Sequence, residues 1–334
     1  MHEVIILEPS IDQALTTARY LRRLDKDARI IGGVLKGLEP KMGLRPPYHE
    51  IREFTLDQLM ESGRDRLVVP TGSMSTAQYA GARGDFQIGE AIFKKDNLRA
   101  SDKLWALSTV SELGIARPRR FSDMDGVDEF PIFFKSKMEG DHQRGILRSR
   151  NELENLPNKE NLLFEEYIRT PNSYGVYFLA QEGEILTQLT IKAILEIPPT
   201  GGSGVVMERI EDDRLLDHTR RLLKKMGYSG WGMTEFKRSP SMDEYVFMEL
   251  NAKLCASVEF LYLNNPDFLG RLFGVRYKKK DVKRIVFADR LLDYGLKAYL
   301  LNLVKYSGSH FVDIGPSMSR ALGMAKDGMI HKIR

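Results

Sequence analysis

The chain is nearly without cysteine: Cys255 is the only one in 334 residues. An internal disulfide framework is therefore excluded, and a reducing, cytoplasmic setting is expected. Long apolar runs are missing too, so no segment is suited to crossing a bilayer. No basic segment followed by an apolar stretch opens the chain, and no secretory leader is expected. The six histidines lack metal-ligand spacing. No Gly-x-Gly-x-x-Gly follows the first apolar strand, so the dinucleotide fingerprint is missing. Neither charge dominates. With 50 Lys and Arg against 46 Asp and Glu, the net +4 is too small to argue for nucleic acid, though it suits anionic ligands. The run Lys278-Lys279-Lys280 reads as a solvated turn. Repeats and low-complexity segments are absent.

What remains is ordinary globular composition, 42% hydrophobic and 29% charged, in a chain long enough for two or three subdomains. Val4-Ile5-Ile6-Leu7 reads as a strand, residues 11–24 have helical spacing, and strands follow at 29–35, 48–54 and 67–69 with a helix near 56–61. Strands alternating with helices predict an α/β fold that opens on a parallel sheet, residues 1–100. Residues 101–130 carry a helix from Ser101 or Asp102 to Leu113, closed by Gly114 and Pro118. From 131 to 195 the pattern turns to short strands, at 131–135, 162–168, 174–180 and 184–191, with Glu182-Gly183 as a hairpin turn. A small antiparallel subdomain is expected there. Residues 196–334 supply a loop at 198–204, a helix from Asp212 to Met226, a hairpin, and helical segments clearest over 290–304.

That hairpin is the most informative stretch. Thr234-Glu235-Phe236-Lys237 and the run from Tyr245 to Lys253 flank Ser239-Pro240-Ser241-Met242-Asp243, which is turn chemistry. Side chains alternate along a strand, so Glu249 and Asn251 share a face, and Glu235 on the partner strand can join them. Two carboxylates and an amide oxygen suit Mg²⁺ carrying nucleotide phosphates. Lys253, one step further, adds positive charge where a transferred phosphoryl group would sit. Taken alone, such a pattern more often marks acids facing solvent. The order of residues upstream reverses that reading.

Asp102-Lys103 opens a helix that ends at Gly114-Ile115, and Phe133-Phe134-Lys135 ends an apolar strand. Phe164-Glu165-Glu166-Tyr167-Ile168 follows, then Ile191-Lys192 nine residues before Gly201, then the hairpin. In this order they resemble the ATP-grasp superfamily of carboxylate–amine ligases, over roughly residues 102–259. The resemblance implies a nucleotide-fold-like domain followed by an ATP-grasp fold with an antiparallel lid. It implies that Lys103 and Lys135 meet ATP phosphates, and that Glu165, Glu166 and Ile168 bind the adenine edge and ribose. Met248 would pack on the adenine ring. Lys192, Lys253 and Arg144 are the implied catalytic charges. Glu235, Glu249 and Asn251 are the implied ligands of Mg²⁺, or of Mn²⁺ in its place. Ser136–Gly145 corresponds to the phosphate-covering loop, but keeps only Gly140 and Gly145, so side chains such as His142 or Arg144 take on its closure. Gly202-Ser203-Gly204 is implied as a phosphate or substrate loop. Lys237 stands where many relatives are apolar.

The activity implied is ATP-dependent: a carboxylate is activated as an acyl phosphate, ADP is released, and a nitrogen nucleophile displaces phosphate. Two alternatives stay open, an enzyme that phosphorylates or carboxylates its substrate and releases a phosphorylated product, and a catalytically weak nucleotide-binding regulatory subunit. The expected partners are a small-molecule carboxylate and an amine, without nucleic acid or membrane. A homodimer is left open.

Overall fold

A computed structural model of the chain describes residues 2–37, 46–61, 66–122, 127, 129–138, 143–170, 172–197, 202–239, 243–292 and 296–312. Gly140, His142 and Gly201 lie outside them. The chain begins with β1 (His2–Leu7), α1 (Asp12–Leu24), β2 (Ala28–Leu35), β3 (Glu50–Phe54), α2 (Leu56–Met60), β4 (Arg66–Val69) and α3 (Ser73–Arg83). The four strands form a parallel sheet in the order β3-β2-β1-β4, as the alternation predicts. Val4 to Leu7 are wholly buried, because a parallel strand is covered on both faces. α1 buries Ala14, Thr17, Ala18 and Leu21, the spacing of one helical face.

A short hairpin, β5 (Phe86–Ile88) and β6 (Ala91–Phe93), leads to α4 (Lys103–Glu112). Asp102 caps α4 by accepting from the backbone N–H groups of Leu104 and Trp105, which satisfies donors that the first turn leaves unpaired. Then come β7 (Arg120–Phe121), β8 (Ile132–Ser136), β9 (Arg144–Leu147), α5 (Arg150–Glu154) and β10 (Leu162–Glu166). These strands form an antiparallel sheet, β7-β10-β8-β9, over a core of its own that includes Ile132, Leu147, Leu153 and Phe164. We call it the lid.

The next two strands, β11 (Ser173–Gln181) and β12 (Glu184–Ile197), do not join the lid, with which their pattern groups them. Gly175 to Ala180 are buried on both faces, which only a central strand of a larger sheet can satisfy. The turn between them has Glu182 at φ 51° and Gly183 at φ 81°, the left-handed pair that a two-residue hairpin turn requires. The chain continues with β13 (Ser203–Arg209), α6 (Asp213–Met226), β14 (Gly230–Ser239), β15 (Glu244–Asn251), α7 (Val258–Asn264) and α8 (Pro266–Phe273). β16 (Arg284–Val286), α9 (Ala288–Leu292), α10 (Leu296–Lys305) and β17 (His310–Phe311) complete it. Among the described residues the large sheet runs β15-β14-β11-β12-β13-β16-β17. The described parts of the segment expected to be helical over 290–304 are helical, as α9 and α10. One hydrophobic core joins the large sheet to the parallel sheet. No helix among the described residues is long and apolar enough to cross a membrane.

Candidate active site

A cavity of about 400 Å³ lies between the lid, one face of the large sheet and the carboxyl end of the parallel sheet, within the range of small-molecule sites. Its floor is the predicted hairpin. β14 and β15 pair with Glu235 opposite Glu249 and Met233 opposite Asn251. The register then shifts, so that Phe236 faces Phe247 and Met248 is the extra residue. Such a bulge re-aims side chains. Here consecutive residues Met248 and Glu249 both line the cavity, with Asn251 and Lys253.

Asn251 Nδ2 donates to Glu235 Oε1 at 2.9 Å and to Glu249 Oε1 at 3.3 Å. Lys253 Nζ donates to Asn251 Oδ1 at 3.1 Å and to Ser73 Oγ at 2.9 Å. Burial, the Glu249 charge and the Glu196 charge push the Glu235 carboxyl up to about 8. Negative charge gathered in this way, only partly offset by Arg144 and Lys237, favours a hard cation, so the donor set fits Mg²⁺ or Mn²⁺. Among the described residues no group of three or more His, Cys, Asp or Glu is arranged for a metal ion. A cation here would have two carboxylates and an amide, with its remaining oxygens drawn from phosphate and water.

Lysines converge from the lid side. Lys135 lies 2.8 Å from Glu165 Oε2 and donates to the Met248 carbonyl at 3.1 Å. Lys103 Nζ donates to the Ser136 carbonyl at 3.2 Å. Burial lowers the Lys103 pKa, Glu249 and Glu165 oppose that, and Lys135 adds to it. Both ammoniums face the cavity, as do Glu166 and Ile168. Arg144 pairs in register with Lys135 and stands exposed at the rim.

Two expected residues are not brought to the cavity. Glu165 is fully buried behind Lys135 and off the cavity wall. Lys192 points away, because its neighbours Ile191 and Ala193 line the wall and strand alternation turns it to the other face. Its ammonium sits 5.8 Å from the Tyr174 ring centroid.

Lys237, charged where many relatives are apolar, reaches the cavity, and other residues do so without having been expected there. Lys237 lies 3.8 Å from Glu196, and Glu196 accepts a hydrogen bond from Ser173 Oγ. Arg290 Nη1 donates to the Gly204 carbonyl at 2.5 Å, and Nη2 donates to Asp12 Oδ2 and the Ala256 carbonyl, both at 3.1 Å. Gln13 and Ser73 come from α1 and α3. The parallel sheet does carry a signal for these last two. They follow the carboxyl ends of β1 and β4, adjacent strands where the order reverses, and ligands of α/β sheets bind at such a point. Glu196 and Arg290 carry no comparable local signal.

No family model matches the sequence, and no curated protein matches it. The fold does match solved structures. A biotin carboxylase–beta-gamma-ATP complex from Campylobacter jejuni superimposes with a TM-score of 0.59 at 12% identity, over 84% of this chain and 73% of that one. An L-amino acid ligase from Bacillus licheniformis gives 0.57 at 13% identity, over 79% and 70%. A Rhizobium etli pyruvate carboxylase gives 0.58 at 12% identity, over 78% of this chain. The match spans only 27% of that carboxylase. These are ATP-grasp enzymes, and the fold of this chain is the ATP-grasp fold.

Proposed function

We propose that this protein is a magnesium-dependent, ADP-forming ligase that activates a carboxylate as an acyl phosphate and joins it to an amine or another nitrogen nucleophile. One observation carries the reading: a single cavity joins the Glu235, Glu249 and Asn251 cluster to the ammoniums of Lys103, Lys135 and Lys253. Acids that hold a divalent cation, opposed by lysines, suit a triphosphate. The fold neighbours, which include a ligase and a carboxylase by name, support the class. They do not identify the acid or the nitrogen donor, whose recognition depends on side chains rather than on fold.

When bound, magnesium would neutralise charge developing on the transferred phosphoryl group. Glu235, Glu249 and Asn251 would hold it. Lys103 and Lys135 would orient the phosphates from the lid side, and Met248 would pack beside the base. Lys253, fixed between Asn251 and Ser73, would stand near the transferring group. A carboxylate oxygen then bonds to the γ-phosphorus as the bond to the ADP oxygen breaks. The amine nitrogen next attacks the acyl carbon, phosphate leaves, and the nitrogen loses its proton. Positioning and charge do most of this work.

The experiment is a screen of amino acids and other small carboxylic acids with Mg-ATP and hydroxylamine. ADP, phosphate and a hydroxamate are expected with the right acid, and Glu249→Gln should lower turnover by about 100-fold. AMP and pyrophosphate in place of ADP would overturn the mechanism. A stable phosphorylated product without nitrogen transfer would overturn the ligase outcome.

A further inference from the structure

Lys135 and Lys103 share a neighbour that the proposed reaction leaves unused. Glu165 sits within β10 with its side chain fully excluded from solvent, and its Oε2 is 2.8 Å from the Lys135 ammonium. Neither Oε1 nor Oε2 has a hydrogen-bond partner among the described residues, so the contact with Lys135 is an ion pair. A buried carboxylate oxygen left in this state lowers stability unless nearby charge offsets it. Lys135 is itself nearly buried, and Lys103 and Arg144 add positive charge around it. Three like charges gathered at one wall repel one another.

We propose that Glu165 is a positioning residue: it holds the Lys135 ammonium against the cavity wall, so that the charges facing the phosphates are in place before nucleotide arrives. The Met248 carbonyl completes the clamp at 3.1 Å, and the Met248 side chain is itself part of the wall. Register allows the arrangement. Leu163 faces Lys135 and Glu165 faces Phe133 across the β10–β8 pair, so Glu165 reaches Lys135 along the diagonal, within range of long side chains. The ATP-grasp resemblance implies a direct hold of Glu165 on the nucleotide, whereas here it acts through Lys135. That Lys135 meets phosphate rests on the proposed function, but the clamp itself does not.

Two measurements test this. The first is brief acetylation with an amine-reactive ester, read lysine by lysine by mass spectrometry. Without its carboxylate partner, the Lys135 ammonium loses its anchor and reaches the reagent more often. Glu165→Gln should therefore speed labelling of Lys135 about fivefold and leave the exposed Lys224 unchanged. Glu165→Asp, which keeps the charge but shortens its reach, should fall between, and it replaces Glu165→Gln if that variant does not fold. Unchanged Lys135 labelling in a folded variant overturns the clamp.

The second measurement is Mg-ATP affinity by calorimetry. Glu165→Gln should weaken binding about tenfold in the wild-type background and less than about twofold in a Lys135→Gln background. Equal losses in both backgrounds would mean that Glu165 touches the nucleotide itself and would overturn the proposal. If the wild-type protein binds no Mg-ATP, the ligase reading fails, and the labelling result still decides the clamp.

Discussion

Glu235 is the residue where stability and function oppose each other most directly. Its carboxyl faces Glu249 across the hairpin and feels Glu196 as well, so the ordinary fold gains nothing from its charge. Near pH 7 a carboxyl raised to about 8 is held largely protonated, a cost that an amide does not carry, so Glu235→Gln should raise the unfolding free energy by at least roughly 1 kcal/mol while removing magnesium-dependent turnover. Differential scanning calorimetry together with an ADP-release assay checks this. A lower melting temperature, or retained turnover, would count against it. Cys255 gives a second prediction. Burial raises its thiol to about 12, with Glu235 and Glu249 adding to the shift and Lys253 opposing it. The thiolate is the reactive form, so iodoacetamide should label native Cys255 at pH 8 far more slowly than it labels the denatured chain. Fast labelling of the folded protein would show that the thiol is more open than its surroundings imply.

At the scale of the element, the site depends on two local devices. The bulge at Met248 brings consecutive residues to the cavity, and Gly232 lets the end of the hairpin close. A Cβ on Gly232 would lie 2.6 Å from the Asn251 carbonyl and 2.8 Å from Phe178, so Gly232→Ala should push the Asn251 end of β15 away. The helix behind the hairpin is secured by Asp212, which accepts from the N–H groups of Arg214 and Leu215 and from the Tyr245 hydroxyl at 2.6 Å. Asp212→Ala removes a cap and a tertiary hydrogen bond at once, and should lower stability by about 1–3 kcal/mol. Urea unfolding measures it. A loss under about 0.5 kcal/mol would show that water replaces both roles.

At the scale of the whole molecule, α1 of the parallel sheet is locked to α7 beside the large sheet. Arg19 meets Glu259 at 2.7 Å, and Thr17 shares a hydrogen bond with the Tyr262 hydroxyl at 3.0 Å. Both acid and base are largely buried, and breaking such a pair leaves an uncompensated charge. Glu259→Ala should cost about 3 kcal/mol and should also weaken turnover, because Ser73 and Gln13 reach the cavity from the sheet that this contact holds. Denaturation and ADP release, measured on the same variant, separate the two effects. Full activity despite the lost stability would mean that the parallel sheet keeps its place by other contacts.

By itself the sequence determined those features that depend on neighbours along the chain. Alternation in Tyr245 to Lys253 sets Glu249 and Asn251 on one face, the Asp102 cap opens its helix, and apolar runs define the parallel strands. Each follows from local geometry, and the order of Lys103, Lys135 and the hairpin carried the ATP-grasp resemblance. Tertiary structure decided what depends on partners distant in sequence. β11 leaves the lid because its two buried faces need strands on both sides, and β12 follows as its hairpin partner. Lys192 turns from the cavity because β12 presents Ile191 and Ala193 to it, a facing that a lone strand leaves undecided. Lys237 meets Glu196, and Arg290 meets Asp12 and Gly204, only after the sheet closes and α9 crosses it. Charges this far apart in the chain share no local pattern, and the fold alone sets the distances between them.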